Sequence, residues 1–284
     1  TAPGLANLGE IENKGFEFAA SWDQQLNNDL SLTISGNLTT INNQVNKLNL
    51  EGFEIINGAS RTTAGFPIGY FFGYVHDGIY QTATEILKSP PSQIGTVLPG
   101  DIKYKDVNGD GFITPADRTL IGNPTPDFIY GGSISLKYKG FDVGVDLQGV
   151  YGNEIFRAWD MGTFADVNYL SDRMDRWTGI GTSNWEPLLS TKRANNYQNS
   201  SFRIEDGSFF RIRNVQLGYN FSPAVLESLR MKSLRIYVNA QNLGTFTNST
   251  GYTPEIGGST TSFGVDNGTY PVPAIYTVGL NLNF

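Results

Sequence analysis

The sequence predicts an all-β chain: an antiparallel transmembrane β-barrel segment with long extracellular loops. Three observations predict it. Apolar and polar residues alternate with a period of two in about seven separate stretches. The links between those stretches take turns at being short and long. The last residue, Phe284, is an aromatic that closes one of the stretches.

The alternation is plainest near the end. Tyr276, Val278, Leu280, Leu282 and Phe284 point one way, and Thr277, Gly279, Asn281 and Asn283 the other. Leu234, Ile236, Val238 and Ala240 oppose Arg235, Tyr237, Asn239 and Gln241. Phe141, Val143, Val145 and Leu147 oppose Asp142, Gly144, Asp146 and Gln148. The rhythm recurs in Phe16–Trp22, Leu30–Leu38, Tyr130–Tyr138 and Val215–Phe221. Stretches of this length cross a bilayer as tilted strands. Alternation alone also fits a soluble two-layer sandwich.

The links argue for the barrel. Residues 23–29, Lys139-Gly140 and 222–232 are short, whereas 41–128, 152–206 and 245–273 are long. Outer-membrane barrels pair short periplasmic turns with long extracellular loops, and compact soluble domains seldom carry several loops this long. Gly279, Leu282 and Phe284 mark a terminal strand of the kind that barrel-assembly machinery reads, and Phe284 suits a periplasmic aromatic girdle. The strand count is odd, and the first and last strands would be open edges. An unpaired edge in lipid costs several kcal/mol per backbone group. The chain, which opens Thr1-Ala2-Pro3, therefore reads as part of a longer polypeptide whose other strands complete the barrel.

Composition narrows the chemistry. Charged residues make up 17% and aromatics 13%, against about 25% charged in ordinary soluble domains. A net charge of -7 argues against a nucleic-acid partner. With no cysteine and the single histidine His76, thiolate and multi-histidine metal sites are excluded. No apolar run is long enough for a transmembrane helix. No Gly-Lys-Ser/Thr phosphate loop, Gly-x-Ser-x-Gly or acid–base carboxylate pair is visible, so the chain reads as no enzyme.

One motif carries site chemistry. Asp106-Val107-Asn108-Gly109-Asp110-Gly111-Phe112-Ile113-Thr114-Pro115-Ala116-Asp117 has calcium-loop spacing. Asp106, Asn108 and Asp110 supply side-chain oxygens, Phe112 a carbonyl, Thr114 a hydroxyl, and Asp117 stands at position twelve. Calcium is the expected ion, with magnesium as substitute. Position twelve is usually Glu, so the shell is smaller. The competing reading is an Asx-rich turn with a helix start at Thr114-Pro115, capped by Asp117. Trp159, Trp177, Trp185 and Tyr197, among Asp172, Arg173, Asp175 and Arg176, either stack on a ligand or pack the loop's own core. Residues 170–177 suggest a short helix, as do those following Pro223.

Taken together, the motifs resemble SusC/RagA-type TonB-linked outer-membrane proteins of Bacteroidetes, over their C-terminal third. The resemblance rests on Gly9–Glu17, Pro99–Tyr104 running into the 106–117 loop, and Ile121–Phe128. It continues in Gly140-Phe141-Asp142, Gln148–Asn153, Arg211–Tyr219, Ala240-Gln241-Asn242-Leu243, and Tyr270-Pro271 leading to Phe284. It implies a large barrel with an N-terminal plug and TonB box that are not in this chain. It also implies a SusD-like surface lipoprotein as lid, TonB as motor, outer-membrane lipids around the wall, and a glycan or oligopeptide as cargo. A different class, a secreted calcium-dependent carbohydrate-binding β-sandwich, fits aromatic richness and the Asp/Asn loop. The two differ in whether the apolar rows face outward or into a core.

Overall fold

The computed structural model describes residues 9–50, 52–159, 169–190 and 192–284. Seven long strands form one antiparallel sheet in chain order. They are β1 (Glu17–Asn27), β2 (Leu30–Thr40), β3 (Phe128–Tyr138), β4 (Phe141–Tyr151), β5 (Phe209–Asn220), β6 (Ser233–Thr247) and β7 (Ile275–Asn283). Each strand pairs with its neighbour in the chain, so the sheet is an up-and-down meander.

The register keeps the two faces separate. One row runs Trp22, Ile34, Ile134, Val145, Val215, Ala240, Tyr276 across all seven strands. The adjacent row, on the opposite face, runs Ser21, Ser35, Ser133, Asp146, Asn214, Gln241. The apolar face is not packed against anything: Phe18 is 65% exposed, Trp22 52% and Val278 78%. Among the described residues, every buried hydrophobic side chain except Phe209 lies outside these strands. A two-layer sandwich would bury its apolar rows, so that reading does not hold.

Aromatic rings flank the apolar face at both ends. Phe141 and Tyr219 meet at 4.6 Å, with Tyr219 5.0 Å from Phe221. At the other end Phe128 stacks on Tyr151 at 4.9 Å, and Phe210 lies 6.2 Å from Phe246. On β3, Tyr130 and Tyr138 are eight residues apart. At about 3.4 Å per residue and a tilt of roughly 40°, they stand roughly 20 Å apart in height, close to a barrel's apolar band.

Two strands are longer than the periodicity suggests. The link placed at 23–29 shrinks to Asn28-Asp29, because β1 runs through Asp23, Gln24 and Gln25. These residues are polar yet stay in the ladder, and the Thr33 hydroxyl donates to Asp23 at 2.6 Å. The link placed at 245–273 starts after Thr247, since β6 continues past an irregularity. There Arg213 on β5 and Asn242-Leu243 on β6 fall out of register, with Asn242 at φ 52°. This bulge breaks the alternation on β5 and hides the strand's continuation from a period-two reading.

The tight turns sit at one end of the sheet. Lys139 adopts φ 54°, and a Cβ on Gly140 would come within 2.5 Å of the Asn220 carbonyl oxygen. The third connection holds a helix, Pro223–Leu229, closed by Arg230 at φ 55°. At the opposite end β1 and β2 are prolonged by a second ladder, Gly9–Lys14 with Asn42–Leu48. A Cβ at Gly15 would lie 1.9 Å from the Thr40 carbonyl oxygen, where the two ladders join. Gly15→Ala is therefore expected to cost about 1–3 kcal/mol by forcing the hairpin apart, measurable as a loss of amide protection at Phe16 and Thr40.

Beyond that end the long connections pack into one body. Small sheets link Ile55–Asn57, Ser60–Thr62, Tyr70–Gly73 and Thr119–Gly122 in one place, and Glu154–Arg157, Ile204–Asp206 and Val265–Asp266 in another. Tyr74, Ile79, Ile102, Tyr104, Ile113 and Phe202 form its largest apolar cluster. Residues from the first and second connections meet directly: the Tyr104 hydroxyl donates to the Asn195 carbonyl at 2.7 Å.

Candidate functional site

Two places gather chemistry: the polar face of the wall and the 106–117 turn. The polar face encloses a trough of about 1250 Å³. Ser35 and Ser133 share a hydrogen bond of 2.7 Å, Asn214 donates to Asp146 at 3.2 Å, and Arg235 pairs with Asp142 at 2.6 Å. Lateral pairing of this kind satisfies the strands' polar groups along a wet surface. Arg213, lifted out of register by the bulge, lines the same trough. Serine, asparagine and glutamine side chains make up much of its lining, with Asp146 and Arg213 among them.

The terminal residues singled out by sequence sit on both faces. Leu282 pairs with Leu234 on the apolar face, and Phe284 is 71% exposed beyond β7. Gly279 lies on the polar face, where a Cβ would meet the Tyr237 ring at 2.1 Å. The glycine thus makes room for a tyrosine laid across it.

The turn closes on its own hydrogen bonds. Asp106 accepts from the Gly109 and Gly111 N–H groups at 2.7 and 2.9 Å. Asn108 accepts from the Asp110 N–H, and Asp110 from the Phe112 N–H, both at 2.9 Å. Gly109 and Gly111 take φ 75° and 83°, which glycine adopts without strain. Asp117 is fully buried and accepts from Val107, Asn108 and Thr114 N–H groups at 2.9, 3.4 and 2.7 Å. Thr114 and Asp117 form a reciprocal capping box at Pro115–Asp117. Burial pushes the Asp117 carboxyl up, but the N–H groups of Thr114, Val107 and Asn108 outweigh it and hold its pKa below the usual range.

The donor set bears on the cation expectation. Asp106, Asn108 and Asp110 ring the exposed side of the turn, while Asp117 is spent on capping. Among the described residues, no three His, Cys, Asp or Glu side chains gather to hold a metal ion. The expected shell adds the Phe112 carbonyl and the Thr114 hydroxyl to Asp106, Asn108 and Asp110, for an ion that prefers six to eight oxygens.

The aromatic residues of the second long connection mostly pack inward. Trp177 lies against the largest apolar cluster and donates to Gln81 at 3.1 Å, and Trp159 donates to Asp266 at 2.9 Å. Trp185 remains 54% exposed, its ring 4.6 Å from His76. The short helix expected at 170–177 is a 3-10 turn at Ser171–Asp175; residues 160–168 and 191 of that connection lie outside the described residues. Sequence reading missed a third arrangement, in which Arg61 lies 3.8 Å and Arg118 5.5 Å from the centre of the Phe72 ring. Its one sequence trace is that Arg118 directly follows Asp117.

A single-layer meander with greasy residues outward, polar residues around a trough, ring belts at both ends and a loop body at one end defines a class: the wall of an outer-membrane type β-barrel. No family model matches the chain. The chain is 32% identical over 99% of its length to TonB-dependent receptor P3 of Formosa agariphila, of which it spans 29%. It is 24% identical over 98% of its length to TonB-dependent receptor SusC of Bacteroides thetaiotaomicron, of which it spans 27%. Its fold matches the RagAB peptide transporter with a TM-score of 0.77 at 20% identity, over 98% of this chain and 29% of that one. The chain is thus similar to TonB-dependent receptors, SusC among them, and spans less than a third of the length of the curated relatives it matches.

Proposed function

We propose that this chain is the C-terminal wall and extracellular loops of a TonB-dependent importer in a bacterial outer membrane. The observation that carries the reading is the unpacked apolar face of the seven-stranded sheet, which hydrocarbon would cover. Segments 41–128, 152–206 and 245–273 face the cell exterior in this reading, and Phe284 the periplasm. The open edges of β1 and β7 pair with strands of the remaining protein, which also supplies the plug and TonB box. A SusD-like lipoprotein lids the loop body, the barrel-assembly machinery reads the Gly279–Phe284 end, and the cargo is a glycan or oligopeptide. The chain itself catalyses nothing. Uptake of cargo by cells carrying the whole protein should vanish when TonB is deleted and return when it is restored; uptake indifferent to TonB would refute the proposal.

For the turn we propose a weak calcium site on Asp106, Asn108 and Asp110, with magnesium as competitor. Residue spacing supports it, and the capping role of Asp117 limits its strength. Calcium should raise the protection of backbone amides at 106–112 against hydrogen exchange, and Asp110→Ala should remove that rise. Identical exchange in calcium and in chelator would leave the turn as a capping device alone.

A further inference from the structure

Asp117 and Thr114 fix the capping box, and the next residue, Arg118, is thrown over the Phe72 ring. Its Nε is tied to the Pro115 carbonyl at 3.1 Å, which leaves the two terminal nitrogens of the guanidinium to project. Arg61 covers the same ring and is engaged by Glu54. Among the described residues no carboxylate is paired with Arg118.

The ring and both guanidiniums border a trough of about 650 Å³, a size suited to a small ligand. Its floor is a file of rings, with Phe66 to Tyr70 at 5.0 Å and Tyr70 to Phe72 at 6.3 Å. Phe53 and Phe66 are each 43% exposed along it. Among the described residues, the charged side chains lining it are Lys47, Arg61 and Arg118 against Glu54. A cationic, ring-lined trough in a chain of net charge -7 calls for an anion with an apolar body. A guanidinium with free parallel N–H groups is shaped for a carboxylate. Apolar surface outweighs polar surface in the lining and gives an apolar side chain a place to lie.

We propose that Arg118, presented by the 106–117 turn, is a binding residue for the free C-terminal carboxylate of an oligopeptide whose last, apolar side chain lies along Phe53, Phe66 and Phe72. This rests on the importer reading, since it assigns part of the cargo contact to the first long connection.

The test uses the whole transporter in detergent and two probes, Gly-Gly-Phe as the free acid and as its C-terminal amide, titrated by calorimetry. The acid should bind about tenfold or more tightly than the amide, as expected for loss of a charge-assisted pair. Arg118→Ala should erase that preference while leaving thermal unfolding unchanged, and Arg118→Lys should keep part of it. Equal binding of acid and amide, or binding of neither, would overturn the assignment, as would a preference that survives Arg118→Ala. The importer reading fails separately: TonB-independent uptake with the acid preference intact removes the import role and leaves the site.

Discussion

Ile134→Arg is expected to destabilise the wall by about 2–4 kcal/mol in a bilayer, the cost of an arginine near the midplane of a lipid-facing strand. Ile134 lies midway between Tyr130 and Tyr138 on β3 and is 42% exposed with nothing packed on it. Leu280 is a poorer probe. Its row runs through Ile236 and Tyr219 to Phe141, at the aromatic end of the sheet. The neighbouring change Ser135→Arg puts the same charge on the polar face, opposite Gly144, where a Cβ would meet nothing within 4 Å. It should cost less than about 1 kcal/mol. Denaturant unfolding of the whole protein in lipid vesicles compares the two. Equal costs would mean that the two faces share one environment.

Asp117→Ala is expected to cost about 3 kcal/mol locally. It leaves the Val107, Asn108 and Thr114 N–H groups without their acceptor in a buried place, at about 1–3 kcal/mol for a lost partner. The loss should appear as faster hydrogen exchange across 104–120 in calcium and in chelator alike, with the wall strands unaffected. The pH dependence has a definite sign. The folded pKa of Asp117 lies below the ordinary aspartate value. Its contribution is therefore complete above that unfolded value and is lost as pH falls through the lower folded one. The turn should hold at pH 4 and loosen only in stronger acid; loosening between pH 5 and 7 would contradict this role.

The wall was legible in the sequence because a barrel strand must alternate, and Leu234–Ala240 or Phe141–Leu147 leave little choice. The turns at Lys139-Gly140 and around Pro223 were legible for the same reason, as breaks in that rhythm. What escaped reading breaks the rhythm without breaking the strand. Arg213 and Asn242 stand out of register, and Asp23 to Gln25 are polar on both faces. The loop body was the least legible part. Its core joins Tyr74 and Ile102 to Phe202, contacts between distant stretches of no fixed period. At the turn, spacing pointed to both an ion and a cap, and only the placement of Asp117 distinguishes its two uses. The Phe72 site was invisible for a like reason, because Arg61 and Arg118 meet on one ring from separate parts of the first connection.

Trp22 offers the most direct test of where the greasy rows look. It sits in the row that crosses all seven strands, 52% exposed, while the other three tryptophans, Trp159, Trp177 and Trp185, lie in the second long connection. In vesicles whose acyl chains carry bromine, the fluorescence of the whole protein should lose a component that Trp22→Phe removes. Quenching that leaves the Trp22 signal untouched would place this row away from hydrocarbon and contradict the membrane wall.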